Sequence, residues 1–330
     1  MMKLIAAEET RRALPFDALV DELRRLFATG CEVPPRQVLD IAAPSHGSSM
    51  VSLVMPAWLP DRYYGVKTIN IAPGNGARGL PGLHAAYMLF DAVTGVPLAV
   101  IDGDQVTNRR TAAASALAAS YLAREDASHL LVVGAGRIAR LLPEAYRAVR
   151  PIHEVTVWAR DAAKAVELAR SLAAEGFDAR PTDDLARAAG EADIVSCATL
   201  ATAPVLQGRW LRPGSHLDLI GSFTPAMREA DDDCFAGASI FVDTREALTK
   251  SGELIGPISR GVFAAQDVRA ALDALCRGDA PGRASREERT VFKSVGTALE
   301  DLAAAILAWE SAAGISGAPP TAGPMRFRRK

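Results

Sequence analysis

Hydrophobic positions recur with two different periods along the chain. Near the N-terminus Leu19, Leu23 and Leu26 follow helical spacing, which predicts one helix over residues 15–28. Four short runs rich in β-forming residues come next, separated by Gly, Pro and Asp, and this pattern predicts an antiparallel sheet. The runs are MVSLVMPAW (50–58), GVKTINIAP (65–73), LHAAYMLFD (83–91) and VPLAVID (96–102).

From residue 112 onward, buried strands alternate with helices. This alternation predicts a parallel, doubly wound sheet with helices on both faces. Beyond its last unit, residues 294–313 predict one long helix that packs back on the first region. We therefore predict an α/β chain with a discontinuous α+β domain, residues 1–111 and 295–330, and a doubly wound domain, residues 112–294.

Glycine-containing segments interrupt these elements. DAVTG (91–95) has the residues of a hairpin loop, whereas GNGARGLPG (74–82) is predicted to be a mobile loop near a site. The Gly/Pro-rich tail from Gly314 predicts a flexible end.

Composition and charge favour a small-molecule ligand. The 330 residues are 49% hydrophobic, and 37 basic against 39 acidic residues leave a formal charge of -2. Because no long block carries one sign, neither nucleic acid nor a membrane is an expected partner. Nothing near the N-terminus marks the chain for export.

Four widely spaced cysteines lack any Cys-x-x-Cys pair. They are Cys31, Cys197, Cys234 and Cys276. Their spacing predicts neither a metal site nor a disulfide framework. We therefore expect free thiols and a cytoplasmic protein.

A glycine motif opens the doubly wound region. Gly134, Gly136 and Ala139 form Gly-x-Gly-x-x-Ala directly after the apolar run 130–133 and at the start of a predicted helix. The first glycine allows a tight turn, the second lets the backbone approach a pyrophosphate, and the small third residue allows close helix packing. The pattern predicts a Rossmann dinucleotide site, in which Pro143 should bend the helix or remove one hydrogen bond.

The strand EVTVWAR (154–160) indicates which dinucleotide binds. A site for NAD usually ends this strand with an acidic residue, but here Arg160 is followed by Lys164 in the next helix. Basic groups suit the 2′-phosphate of NADP(H), so NADPH is preferred. Asp161 is close enough to accept NADH as well, and Arg160 as an ordinary solvated residue is the remaining alternative.

Three basic residues are candidates for the substrate side. Alternation along 65–71 puts Lys67 on the same face as Ile69 and Ile71, where an ammonium needs a specific reason. Arg36 and Arg110 are candidates to bind a carboxylate through two hydrogen bonds each. Taken singly, each fits a surface or salt-bridging role better than a ligand-binding role.

Ordered segments along nearly the whole chain resemble the ornithine cyclodeaminase/μ-crystallin family, which also includes an archaeal-type alanine dehydrogenase and cyclic ketimine reductases. The segments include VMPAW (54–58), GVKTIN (65–70), FDAVTGVPLAVIDG (90–103), RRTAAASALAASYLA (109–123), VVGAGRIA (132–139), ADIVSCAT (192–199), IGSFTPAMRE (220–229), VDTREAL (242–248), SGEL (251–254) and FKSVG (292–296).

The resemblance implies a homodimer formed through the β-rich domain, with the active site in the cleft between the two domains. It places Arg36, Lys67 and Arg110 in the substrate pocket. The residues that it places along the dinucleotide, together with the glycine motif, are Thr111, Gly134, Ala135, Gly136, Arg137, Ile138, Arg160, Lys164, Cys197, Thr199, Ser222 and Ser294.

The turn after the strand LDLIG (217–221) separates the family's reactions. Cyclodeaminases of the family have an Asp there, and a carboxylate can act as a base towards an amine or water. This chain has Ser222 and Phe223 instead, while Asp218 lies inside the strand. We expect the Phe223 ring to lie beside the nicotinamide, exclude water and favour a flat ring substrate.

We therefore predict NAD(P)H-dependent reduction of the C=N bond of cyclic ketimine carboxylates. The reaction would give L-proline from Δ1-pyrroline-2-carboxylate or L-pipecolate from Δ1-piperideine-2-carboxylate. Arg36 and Arg110 would bind the carboxylate, and Lys67 would either protonate the imine nitrogen or stabilise the carboxylate. Ornithine cyclodeaminase, alanine dehydrogenase and a μ-crystallin-like ligand-binding protein remain alternatives.

Overall fold

The N-terminal region builds a mainly antiparallel sheet. The computed structural model describes residues 1–43 and 48–315. Its first six strands are β1 (Lys3–Ile5), β2 (Gln37–Ala43), β3 (Ser48–Leu59), β4 (Tyr63–Ile71), β5 (Leu83–Asp91) and β6 (Pro97–Asp102). They lie in the order β1-β6-β5-β4-β3-β2, with antiparallel pairing from β6 to β2 and a parallel pair at β1. The predicted antiparallel sheet is confirmed, and β1 and β2 extend it.

The loops of this sheet differ in regularity. Asp91 accepts hydrogen bonds from the backbone N–H groups of Val93 and Thr94, at 3.0 and 2.7 Å, and so closes the predicted hairpin loop between β5 and β6. The glycine-rich segment contains a short 3-10 helix, Pro73–Arg78. Most of the predicted flexible tail, residues 316–330, lies outside the described residues.

Three helices precede the second sheet: α1 (Ala7–Ala13), α2 (Phe16–Thr29) and α3 (Gly103–Leu122). The predicted N-terminal helix is confirmed by α2, whose three leucines are fully buried. Asp102 accepts from the Gln105 N–H at 2.8 Å, and this cap starts α3 well before the predicted residue 112. The proposed domain division at residue 111 therefore falls inside a continuous helix.

The second sheet has eight parallel strands. They are β7 (His129–Val133), β8 (Glu154–Trp158), β9 (Asp178–Pro181), β10 (Ile194–Cys197), β11 (His216–Leu219), β12 (Ser239–Val242), β13 (Val268–Ala271) and β14 (Thr290–Lys293). The connecting helices are α4 (Arg137–Arg147), α5 (Ala162–Ala174), α6 (Leu185–Glu191), α7 (Ala247–Lys250), α8 (Gly252–Ser259) and α9 (Leu272–Arg277). The strand order is β13-β12-β14-β11-β10-β7-β8-β9. From β7 the chain adds β8 and β9 on one side and then β10 and later strands on the other, as in a doubly wound fold, and this confirms the predicted fold class.

The last helix, α10 (Ala298–Ala313), returns to the first sheet as predicted. It packs with α3 against the face of β3, β4 and β5 that carries Lys67 and Ile69. Alanine-rich α3 is buried over most of its length, because small side chains let it lie between the two sheets. The segment from β14 to α10 therefore connects the two sheets at the level of the predicted site.

Candidate active site

The predicted dinucleotide residues lie along one edge of the parallel sheet. Gly134 follows β7, Thr199 follows β10, Ser222 follows β11 and Ser294 follows β14. Because parallel strands share the same direction, their carboxyl ends meet at this edge. In open α/β sheets ligands bind there, at the point where the strand order reverses.

The glycine turn after β7 has the geometry that a pyrophosphate requires. Gly134 has a φ of +122°, and a Cβ at this position would lie 2.6 Å from the Ala198 carbonyl oxygen. A Cβ on Gly136 would meet open space, so the backbone is accessible at that point. Since α4 begins at Arg137, its first N–H groups adjoin this space. These residues fit a dinucleotide.

Around the turn, Ala135 and Ile138 are half-buried and Arg137 is exposed, with its guanidinium 3.4 Å from Asp104. Pro143 is buried inside α4, which continues to Arg147 despite the missing N–H donor. The hydrogen bond that Pro143 was predicted to remove therefore does not end the helix.

The end of β8 presents basic groups to solvent. Arg160 is exposed, and the Lys164 ammonium lies 3.9 Å from the Asp161 carboxylate. Asp161 also caps α5 by accepting from the Ala163 N–H at 3.1 Å. One of its oxygens is therefore already engaged, which reduces its capacity to bind a ribose hydroxyl.

Two predicted cofactor contacts need correction. Cys197 and Ser222 are fully buried, and the Ser222 hydroxyl is engaged with the Met227 carbonyl at 2.6 Å and with Ser251. The Cys197 side chain packs in an apolar cluster and the Ser222 hydroxyl is bonded within the protein, so we assign both side chains to the support of this edge rather than to cofactor contact. The Thr111 hydroxyl likewise donates to the Thr107 carbonyl within α3, at 2.7 Å.

The three predicted substrate residues converge on the segment from Ser294 to Asp301. Lys67 is fully buried on β4, and its Nζ lies 2.5 Å from Asp301 Oδ2. Arg110 Nε lies 2.9 Å from Asp301 Oδ1, and its Nη1 lies 2.5 Å from Glu300 Oε2. One carboxylate thus joins two cations that come from different elements.

Arg36 reaches the same segment from the β2 side. Its Nη2 donates to the Gly296 carbonyl at 2.9 Å, and Glu246 lies 3.8 Å away. A Cβ on Gly296 would lie 2.6 Å from Arg110 Nη1, so both guanidinium groups lie next to Gly296. The prediction that both arginines are free for a carboxylate is too simple, because Arg110 already holds two acidic partners.

The buried charges shift each other's pKa. Burial lowers the pKa of Lys67 to about 8; Asp301 acts to raise it and Arg110 to lower it further. Burial raises the pKa of Glu300 to about 7, although Arg110 opposes this effect. The pKa of Lys67 therefore lies close to neutrality, in the range that suits a proton donor.

A second cluster of buried charged residues, formed by Glu229, Asp243 and Lys293, supports the loops at the same edge of the sheet. The sequence analysis missed this cluster. Glu229 accepts from the N–H groups of Thr199 and Gly221, at 2.7 and 2.6 Å. Asp243 accepts from the N–H groups of Val295 and Gly296. Lys293 is the sequence feature that could have revealed this cluster, because it is a lysine inside the apolar strand TVFK. It is fully buried and donates to the Leu219 carbonyl at 2.9 Å.

Phe223 lies just beyond β11, after the buried Ser222, and is 46% exposed. Asp218 is fully buried inside β11 and accepts from Ser115, Tyr146 and Ser196. This engagement agrees with its exclusion as the missing base. The position of the Phe223 ring relative to a nicotinamide stays a prediction.

Two other features are absent from residues 1–43 and 48–315. No helix there combines the length and apolar character needed to cross a membrane. In the same residues no three His, Cys, Asp or Glu side chains are grouped so that they could hold a metal ion.

A Rossmann sheet with an open glycine turn, next to a buried lysine–arginine pair, defines a dinucleotide-dependent oxidoreductase. The chain belongs to the ornithine cyclodeaminase/mu-crystallin family, whose model matches residues 5–316. The family and the enzyme class predicted from the sequence are thereby confirmed.

Named relatives cover almost the whole chain. A Delta(1)-pyrroline-2-carboxylate reductase of Paracoccus denitrificans is 45% identical over 275 residues, which are 83% of this chain and 86% of that protein. The structure of the Thermococcus litoralis Delta(1)-pyrroline-2-carboxylate reductase with NADH and L-proline matches with a TM-score of 0.88 at 32% identity, over 95% of this chain and 98% of that one. An archaeal alanine dehydrogenase dimer with bound NAD matches with a TM-score of 0.87 at 30% identity, over 95% and 96%.

Proposed function

We propose that the protein reduces the C=N bond of cyclic ketimine carboxylates, converting Δ1-pyrroline-2-carboxylate to L-proline and Δ1-piperideine-2-carboxylate to L-pipecolate. The observation that carries this proposal is the pair of buried cations, Lys67 and Arg110, which share Asp301 close to the carboxyl edge of the Rossmann sheet. A cyclic ketimine carboxylate has two polar groups, an imine nitrogen and a carboxylate, that match such a pair. The two reductase relatives support this choice of substrate class.

Arg36 and Arg110 would bind the substrate carboxylate. Arg110 uses Nε and Nη1 for Asp301 and Glu300. Among the described residues its Nη2 makes no such pair and remains for a ligand. Arg36 also contacts Gly296, through one nitrogen, so the two guanidinium groups lie near enough to the same residue to bind one carboxylate together.

Lys67 would act on the imine nitrogen as a proton donor. A pKa of about 8 leaves the ammonium mostly charged at neutral pH, yet able to give up a proton readily. It would keep the imine protonated, or stabilise the carboxylate, while the reduced nicotinamide supplies the hydride to C2. Its burial keeps water from competing for the same proton.

Phe223 favours reduction over deamination. A carboxylate in this turn would supply the base that ring closure and ammonia release need, and a phenyl ring cannot. We therefore propose imine reduction rather than ornithine cyclodeamination.

We further propose that NADPH is preferred and NADH accepted. The exposed Arg160 and Lys164 at the end of β8 support a 2′-phosphate site, while the two solved relatives were obtained with NADH and NAD. The ratio of kcat/KM for NADPH and NADH, measured at a fixed imine concentration, tests this point. A ratio below one would contradict it.

The outer face of the six-stranded sheet supports the proposed homodimer. Leu39, Ile41 and Met88 are exposed on the face opposite Lys67, and a second copy of the chain would bury them. The archaeal alanine dehydrogenase relative is a dimer.

We propose residues 1–111 and 295–330 as the substrate and dimerisation domain, and residues 112–294 as the dinucleotide domain. We also propose a cytoplasmic location, which is consistent with four free thiols.

The experiment follows NADPH absorbance with each of the two cyclic imines, and uses ornithine plus NAD as the control. Consumption of NADPH with the imines, and no ammonia from ornithine, is the expected result. Ammonia release from ornithine would overturn the assignment. NADH formation with alanine would favour an alanine dehydrogenase, and slow turnover with tight ligand binding would favour a binding protein.

A further inference from the structure

Asp301 occupies the centre of the buried cluster. Its two oxygens contact two different cations, Lys67 on β4 at 2.5 Å and Arg110 on α3 at 2.9 Å. Asp301 itself lies on α10 and is fully buried. Three elements from distant parts of the chain therefore meet at one carboxylate, and a small movement of that carboxylate would displace both cations.

The start of α10 explains why an acidic residue is stable there. The helix begins after Thr297, whose hydroxyl accepts from the Leu299 N–H at 3.4 Å, and Glu300 and Asp301 occupy the first turn. Negative groups in the first turn interact favourably with the helix dipole. The backbone thus offsets part of the cost of burying two carboxylates.

The titratable groups around Lys67 come from three elements. Asp301 and Glu300 face it from α10, Arg110 faces it from α3, and Tyr87 is its cross-strand neighbour on β5. Arg110 disfavours the ammonium and Asp301 favours it. Without the charge of Asp301, Lys67 would be buried beside a guanidinium with no direct counter-charge.

We propose that Asp301 is a positioning residue that holds the Lys67 ammonium and the Arg110 guanidinium at a fixed separation for one substrate. The proposal rests on the proposed imine reduction for its effect on turnover. Its structural part, that Asp301 keeps Lys67 protonated, is independent of the substrate. Asp301 is therefore expected to influence catalysis only through Lys67 and Arg110.

Glu300 provides a matched control. It lies in the same turn of α10, is equally buried and pairs with Arg110, but the direct ion pair to Lys67 belongs to Asp301. At about pH 8 and above, where Glu300 is largely ionised, the substitutions Asp301→Asn and Glu300→Gln each remove one negative charge without changing the shape of the side chain. A difference between the two variants therefore reports on Lys67 rather than on the loss of a buried carboxylate.

The first readout is the pH dependence of kcat with Δ1-pyrroline-2-carboxylate. A protonated Lys67 is required, so wild-type activity should fall as the pH rises through its pKa. Asp301→Asn should move this alkaline fall in activity to lower pH by about one unit or more, and should therefore lower kcat at pH 8 by at least about fivefold. Glu300→Gln should leave the alkaline fall close to its wild-type position and mainly raise KM.

The second readout does not depend on turnover. Lysines labelled with ¹³C at Cε can be titrated by NMR, and the Lys67 signal is assigned from its loss in Lys67→Met. The chain has few lysines to resolve: Lys3, Lys67, Lys164, Lys250, Lys293 and Lys330. The Lys67 signal should titrate at lower pH in Asp301→Asn than in wild type or Glu300→Gln.

Unchanged titration of Lys67 in Asp301→Asn would overturn the proposal, whether or not the enzyme reduces imines. Shifted titration without imine reduction by the wild type would instead overturn the proposed function alone. If Asp301→Asn does not fold, Asp301→Glu decides. It keeps the charge but displaces it, so kcat should fall at least about tenfold with the pH of the alkaline fall unchanged, and wild-type kcat would overturn the proposal.

Discussion

Two fully buried lysines, Lys67 and Lys293, lie in contrasting surroundings. Lys293 donates to the Leu219 carbonyl, and the negative charges of Glu229, Glu253, Asp243 and Asp218 favour its charged form from beyond direct ion-pair distance. Lys67 has one direct ion pair, to a carboxylate that it shares with Arg110. Lys293 therefore has an excess of negative charge around it, whereas Lys67 competes with Arg110 for the same carboxylate.

The partners of the carboxylates show what each region does. Around Lys293 their oxygens accept from backbone N–H groups of several loops, so the charges hold the carboxyl edge of the Rossmann sheet together. Around Lys67 the carboxylates bind side chains of other elements, and the cations keep hydrogen-bonding capacity for a ligand. Burial of a lysine therefore does not by itself identify a catalytic group, and the use of its partners does.

The largest expected effect is on turnover in Lys67→Met. Loss of a positioned proton donor should lower kcat for Δ1-pyrroline-2-carboxylate by about 10²–10⁴-fold. Stability should change little, because Asp301 keeps its bond to Arg110 and methionine fills most of the lysine volume. Steady-state kinetics and thermal unfolding check both parts, and wild-type turnover would remove Lys67 from the mechanism.

The matched change, Lys293→Met, should act on stability first. It removes the buried cation that offsets the charges of Glu229, Glu253, Asp243 and Asp218, and leaving buried charge uncompensated costs up to about 3–5 kcal/mol. Urea unfolding measures this loss, with Lys67→Met as the control in the same assay. Equal unfolding midpoints for the two variants would contradict the claim that Lys293 stabilises the fold and Lys67 acts in catalysis.

Glu229, in the cluster around Lys293, should make the free energy of unfolding depend on pH. Burial raises its pKa to about 7, above an unfolded value of about 4.3, so the folded state binds the proton more tightly. Its contribution to stability is therefore present below about pH 4 and is lost as the pH rises to about 7. Glu229→Gln should flatten the pH dependence of the unfolding free energy across that range, although Glu300, which titrates similarly, leaves some slope. Parallel wild-type and variant curves would contradict the assignment.

The smallest expected effect is that of Phe223→Asp. A charged group in place of the ring should admit water and lower kcat/KM for the imine by about tenfold. It should not create an efficient cyclodeaminase, because the Lys67 region is unchanged. Assays of imine reduction and of ammonia release from ornithine check both statements. Rapid ammonia release would mean that the turn, rather than the buried cations, determines the reaction.

Much of the fold was predictable because its signals are local. Period-two runs marked the antiparallel strands, and the glycine motif between an apolar run and a helix marked the dinucleotide turn. Lys67 was visible as a charge on an apolar face. Asp301 was not, because ALEDLAAAILAW has the ordinary acidic first turn of a helix, and its partner Arg110 lies 191 residues earlier. Burial of such a carboxylate depends on how distant elements pack.

Transfer of deuterium tests the central claim most directly. Δ1-Pyrroline-2-carboxylate is incubated with the protein and NADPH carrying deuterium at both C4 positions, and the product is analysed by mass spectrometry and NMR. We predict L-proline with one deuterium at C2, formed by the wild type and lost in Lys67→Met while Lys67→Met remains folded. Absence of deuterated proline with both NADPH and NADH would contradict the assignment of imine reduction to this site.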